Sequence, residues 1–158
     1  KLLPFPANAF DRVLIFDVVE HLHPWELKAC LDEAYRVLKV GGQIIVHTAP
    51  NRWYDAYAYP WVRRLRILMG EGDKYPANPR ALNVEINTEV HVNEQDLWRM
   101  RKVLRQSNFS PVKVWLDTPP QKRQENGALA LMRHIAFKWA PFSWFFQREV
   151  FAVGTKGK

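Results

Sequence analysis

The sequence is short of several things, and each absence narrows the field. It has a single cysteine, Cys30, so no internal disulfide framework is available, and thiol usage this sparse suits a reducing cytoplasm. No run of about 18 apolar residues exists, so no membrane-spanning helix is expected. The nearest approach, Ala128 to Phe146, is interrupted by Arg133, His134, Lys138 and Pro141. The opening residues Lys1-Leu2-Leu3-Pro4-Phe5 do not read as a secretory signal, because prolines stand where an apolar core should run. There are no internal repeats and no low-complexity tracts. Glycine is sparse at seven residues. The one adjacent pair, Gly41-Gly42, follows a helical pattern and is expected to stop it rather than to cradle a phosphate.

What is present is an aromatic, basic chain of one-domain length. It has 158 residues, 47% of them apolar, with seven Trp, five Tyr and nine Phe, enough for a real core. Lys plus Arg exceed Asp plus Glu by 23 to 16, giving a net charge of +7. That balance favours anionic partners, although a solvated basic surface accounts equally for charge this diffuse.

Val13-Leu14-Ile15-Phe16 is a continuous apolar run ended by Asp17, the pattern of a strand covered on both faces. Pro24 and Glu26 mark a helix start, and Leu27, Cys30, Leu31, Ala34 and Leu38 recur at helical spacing. Gln43 to Thr48 reads as a second buried strand, completing a βαβ unit. From residue 51 to residue 92 prolines loosen the pattern. The expectation there is a cap or lid, with a short basic helix at about Pro60 to Met69. Asn93 is placed to cap the next helix, whose stripe is Leu97, Met100 and Leu104. A strand at Val112 to Leu116, a helix at about Ala128 to Trp139 and a strand at Val150 to Val153 close the chain. The fold class is α/β, with a last strand able to enter a parallel sheet antiparallel.

Two stretches carry a resemblance. Leu3-Pro4-Phe5-Pro6-Ala7-Asn8-Ala9-Phe10-Asp11, leading through the first strand to Asp17-Val18-Val19-Glu20-His21-Leu22, is similar to the middle of class I S-adenosylmethionine-dependent methyltransferases. Arg36 to Gly42, RVLKVGG, resembles the family's approach to its fifth strand, and Asn93 to Phe109 and Val150 to Lys156 resemble later elements. The resemblance implies a Rossmann-like sheet holding strands 4, 5, 6 and 7 of that fold. It also implies that the family's glycine loop and ribose-binding acid would lie ahead of Lys1. The favoured expectation is therefore a partial methyltransferase domain from a longer product, inactive alone. The competing expectation is a cofactor-free basic module that docks to nucleic acid or an anionic membrane.

Site residues follow from the same resemblance. Phe16, Asp17 and Val18 would line the S-adenosylmethionine pocket, with Leu3 and Pro4 on the adenine side. His21 and His91 are the candidate bases, because imidazole titrates near neutrality. Asp17, Glu20 and His21 form a D-x-x-E-H cluster, similar to one by which some O-methyltransferases hold a divalent cation such as Mg²⁺. Against these stand plainer roles: a loop carboxylate for Asp17 and a helix-entry histidine bonded to backbone for His21. Asn51 would orient a substrate, or merely close an Asx turn. Trp53 and Tyr54 would stack on the substrate, or pack as core. The implied reaction is methyl transfer to an O or N nucleophile of a small or lipid-linked metabolite; nucleic acid is disfavoured, and Ala128 to Phe146 offers peripheral membrane contact.

Overall fold

A computed structural model describes residues 2–82, 87–117 and 127–158. Four strands form one sheet: β1 (Phe10–Phe16), β2 (Leu38–Thr48), β3 (Phe109–Asp117) and β4 (Glu149–Lys156), in the order β1-β2-β4-β3. β1 and β2 are parallel, with Val13 opposite Ile44 and Phe16 opposite His47. β4 runs antiparallel to both β2 and β3. The expected α/β class, with an antiparallel last strand, is what forms.

The local chemistry explains each element. α1 (Pro24–Val37) starts on a first-turn proline, and the Glu26 carboxylate accepts the His23 backbone N–H at 2.9 Å. Its buried face is Leu27, Leu31 and Ala34. The helix stops at Val37, where Leu38 turns extended and begins β2 directly. Gly41 and Gly42 therefore do not end the helix, as their position suggested; they lie inside β2 at a register shift against β1. Gly42 is needed there because a Cβ would meet the Lys39 carbonyl oxygen at 2.8 Å and that of Asp11 at 3.1 Å.

α4 (Leu97–Gln106) is also capped differently from the expectation. Asp96, not Asn93, accepts the backbone N–H groups of Trp98 and Arg99, both at 2.9 Å. Asp96 alone directly precedes the first helical residue, which is the geometry a cap requires. Met100 and Leu104 are buried, with Leu97 packed beside them, whereas Arg99, Arg101, Lys102 and Arg105 lie on the exposed side.

α1 and α4 supply the main core together with Ile15, Ile44, Val46, Phe109, Val114, Val150 and Ala152. The excursion after β2 is largely helical: a π-helical turn (Tyr54–Ala58), α2 (Tyr59–Leu68) and the short α3 (Asn87–Val90). α5 (Gly127–Lys138) and α6 (Phe142–Phe146) precede β4. A second, small core of Tyr54, Ala58 and Tyr59 joins Phe145 and Phe146 to the excursion. Among the described residues no helix is long and apolar enough to cross a membrane.

Candidate active site at the carboxyl edge

β1 and β2 run side by side, so their carboxyl ends open at one edge, the place where ligands bind in open α/β sheets. Phe16 pairs with His47, and the Asp17 N–H donates to the His47 carbonyl at 3.1 Å. Thr48 follows at the same edge and donates its hydroxyl to the Glu20 carboxylate at 2.5 Å. Both are buried. A buried carboxylate needs such a donor, since an unpaired one would carry a large desolvation cost.

The segment from Val90 to Asn93 straps back across Glu20 and His21. The backbone N–H groups of Val92 and Asn93 donate to the Glu20 carbonyl at 2.9 and 3.1 Å. His21 Nδ1 lies 3.2 Å from the Val90 carbonyl. That contact puts the proton on Nδ1 and leaves Nε2 as the basic nitrogen. The His91 ring stands edge-on to His21, centroids 4.9 Å apart. One ligand atom from each of Glu20, His21 and His91 lies within 4.8 Å of the others. His91 is buried, and its Nδ1 has no hydrogen-bond partner among the described residues. Burial, and then repulsion from His21, holds the His91 imidazole below its ordinary pKa.

Asp17 does not join this cluster. Its backbone is left-handed (φ 53°), and its carboxylate sits 2.9 Å from His47 Nδ1, whose Nε2 is 3.6 Å from Glu149. The residues that come together here are therefore Glu20, His21 and His91, and not the anticipated Asp17, Glu20 and His21. Phe16, Asp17 and Val18 are exposed together at the tip of β1. Leu3 and Pro4 are not with them. The Leu3 N–H donates to Glu33 and its carbonyl accepts from Arg36, while Ala9 N–H donates to the Val37 carbonyl. These bonds hold the opening segment beside the end of α1, at the opposite edge of the sheet.

The substrate candidates are structural. Asn51 is fully buried: Nδ2 donates to the carbonyls of Trp144 and Gln147 at 2.8 and 2.9 Å, and Oδ1 accepts the Trp53 N–H at 3.1 Å. Both Nδ2 hydrogens are used and the side chain is out of reach of solvent, and these bonds lock the excursion to the approach of β4. Trp53 packs among Trp98, Trp144 and Phe145, and Tyr54 is core, with the Arg148 guanidinium 5.0 Å over its ring.

Sequence reasoning passed over a second polar group. Asn93, Glu94, Gln95 and Asp96 are all buried, and Glu94 takes a bidentate grip from Arg80, at 2.6 and 3.1 Å. The signal was four polar residues in a row, Asn93 to Asp96, directly after Val92, which an exposed loop does not require. Thr48 carried no signal of its own.

This architecture is that of the class I methyltransferases. It is similar across 98% of the chain to a solved S-adenosylmethionine-dependent methyltransferase from Thermotoga maritima, with a TM-score of 0.54, 18% identity and coverage of 59% of that chain. Residues 1–46 match the model of a methyltransferase domain family. Over 82 residues the chain is 37% identical to a ubiquinone/menaquinone biosynthesis C-methyltransferase of Ruegeria sp., covering 46% of this chain and 32% of that protein. Over 83 residues it is 31% identical to the enzyme of the same name from Allorhizobium ampelinum, covering 48% and 31%. The chain thus spans about a third of the length of these curated relatives. The fold is thus shared with class I methyltransferases of known structure, and the first 46 residues are similar in sequence to a methyltransferase domain.

Proposed function

We propose that the whole protein transfers a methyl group from S-adenosylmethionine to an O or N nucleophile of a small or lipid-linked metabolite, with His21 and His91 as the proton-accepting pair. The observation that carries this reading is the meeting of Glu20, His21 and His91 at the carboxyl edge, beside the exposed tip Phe16–Val18. That open tip fits a bound cofactor, which supplies an electrophilic methyl for in-line displacement. Transfer of this kind is mostly alignment, with at most one proton to remove. His21 Nε2 takes that proton, because Nδ1 is committed to the Val90 carbonyl. His91, edge-on to His21 with ring centroids 4.9 Å apart, is the second acceptor. Glu20, anchored by Thr48, stabilises the imidazolium that forms.

The same three residues would hold a divalent cation. Two imidazoles and one carboxylate suit a borderline first-row ion better than Mg²⁺, which prefers oxygen ligands. The relatives named as C-methyltransferases make carbon the rival acceptor, and there too a base at this edge would serve.

The test uses the full-length protein. S-adenosylhomocysteine should raise its melting temperature, and His21→Ala should lower methyl transfer on an identified acceptor by about 10²-fold or more without abolishing that shift. No shift with the full-length protein would sink the reading. Activity that survives a chelator leaves the base mechanism standing and removes the cation.

A further inference from the structure

Helix α2 is inverted relative to an ordinary surface helix. Such helices turn their apolar stripe to the core and their charges to water. Here two of the three arginines turn inward: Arg63 Nε donates to the Tyr75 carbonyl at 3.0 Å, and Arg66 pairs with Glu71 at 2.5 Å while stacking 5.4 Å over the Tyr75 ring. Apart from the buried Tyr59 and the half-buried Val62, the apolar residues turn outward. Tyr57, Trp61, Leu65 and Leu68 are spaced four, four and three apart, which places them on one stripe. Their exposures are 59%, 68%, 50% and 84%. Scattered exposed leucines need no explanation, but a contiguous stripe of this kind marks an interface.

We propose that this stripe docks the protein onto an anionic phospholipid surface. The composition fits that occupant. Tyr and Trp carry an apolar body and a polar edge, which suits the boundary between headgroups and acyl chains. Arg64 is exposed beside them, its guanidinium 5.3 Å over the Trp61 ring, so its stem can lie along the ring while its charge meets lipid phosphate. The chain as a whole is at +7, which adds long-range attraction to an anionic surface. A helix of 10 residues is about 15 Å long, too short to span a bilayer and suited to lying in its surface. The stripe continues through the edge contact of Tyr57 with Phe145, 5.6 Å, toward the exposed Trp144. The inference stands apart from the catalytic reading, since none of these residues belongs to the Glu20, His21 and His91 group.

Vesicle co-sedimentation tests it, with phosphatidylcholine alone against phosphatidylcholine mixed with phosphatidylglycerol. The chain should bind the mixed vesicles, with a blue shift of tryptophan emission, and should release as salt rises. The double variant Leu65→Glu/Leu68→Glu should lose about tenfold or more of that binding. Arg64→Glu, which leaves the leucines in place, should remove the preference for phosphatidylglycerol, and both variants should keep the parent circular dichroism spectrum. Absence of binding to mixed vesicles overturns the proposal, as does binding unchanged in Arg64→Glu. So does a dimer in analytical ultracentrifugation that the double variant abolishes while vesicles bind neither protein, since a second copy is then the occupant.

Discussion

Asp55 gives the most informative perturbation. It lies in the π-helical turn, partly buried, and its Oδ2 has no hydrogen-bond partner among the described residues. Burial first, and then the nearby Glu94 carboxylate, pushes its carboxyl up to about 7, against opposing pulls from Arg148 and Arg80. Arg80 is already committed to Glu94 and cannot compensate fully. In the unfolded chain the same group titrates near 3.9. Between those values the native state binds more protons than the unfolded state, so this group lowers stability as pH rises through the window and its effect levels off above about 7. Three pKa units correspond to about 4 kcal/mol, and partial solvent access brings the expectation to about 2–4 kcal/mol. Asp55→Asn keeps the shape and removes the charge. It should match the parent near pH 4 and exceed it near pH 8 by that amount, about 5–15 °C in melting temperature for a chain of this size. Urea unfolding of both proteins at several pH values reads the difference. A gap that stays constant with pH, or that narrows as pH rises, refutes the reasoning.

Other substitutions probe the supports of the site. Thr48→Val keeps the volume but strips the buried Glu20 carboxylate of its hydroxyl donor, and should cost about 1–3 kcal/mol in chemical denaturation, with Thr48→Ser restoring most of it. Asp96→Ala removes the acceptor of two N–H groups at the start of α4 and should cost about 1–2 kcal/mol by the same measurement. Gly154→Ala drives a methyl to 2.9 Å from Phe109 Cβ and 3.2 Å from Ile44, overpacking the centre of the sheet; a loss of about 1–3 kcal/mol is expected in thermal unfolding.

The sheet and its two core helices were legible because their periodicities are strong and their burial one-sided. Gln43 to Thr48 read as a buried strand, and Leu27, Leu31 and Ala34 as the inner face of α1, because tertiary packing agrees with the local pattern at each. Val13 to Phe16 read as a strand covered on both faces, but β1 is at the edge of the sheet and only Ile15 is buried, with Leu14 and Phe16 exposed. Gly41-Gly42 misled because a glycine pair signals both a helix stop and a strand bulge, and only the position of Asp11 and Lys39 decides between them. The excursion resisted reading for a different reason: α2 has helical periodicity but the opposite polarity, so the usual rule gives its extent and not its orientation. At the site, Glu20 and His21 were visible as adjacent residues after a strand. The partner that completes them, His91, lies 70 positions along the chain from His21 and is brought in by backbone bonds that no side-chain pattern encodes. Asp17 was drawn off by His47, a cross-strand neighbour that register alone supplies.

Strand order also determines what covers the chemistry. β4 runs antiparallel between β2 and β3, so β2 and β3 end, and β4 begins, at the edge where Glu20 sits. Both the segment after β2 and the segment before β4 must therefore pass over that edge. They are bonded to each other there, through Asn51 to the carbonyls of Trp144 and Gln147 and through Trp53 against Trp144 and Phe145. The covering is thus built from two distant stretches of chain held as one unit. Its bonds to the site run through the short strap from Val90 to Asn93, by way of the Val90 carbonyl and the N–H groups of Val92 and Asn93. A shift of the covering that breaks the Val90 contact frees His21 Nδ1 and its tautomer together. If His21 is the base as proposed, substrate fit above the edge and proton transfer at it would be coupled through these backbone hydrogen bonds.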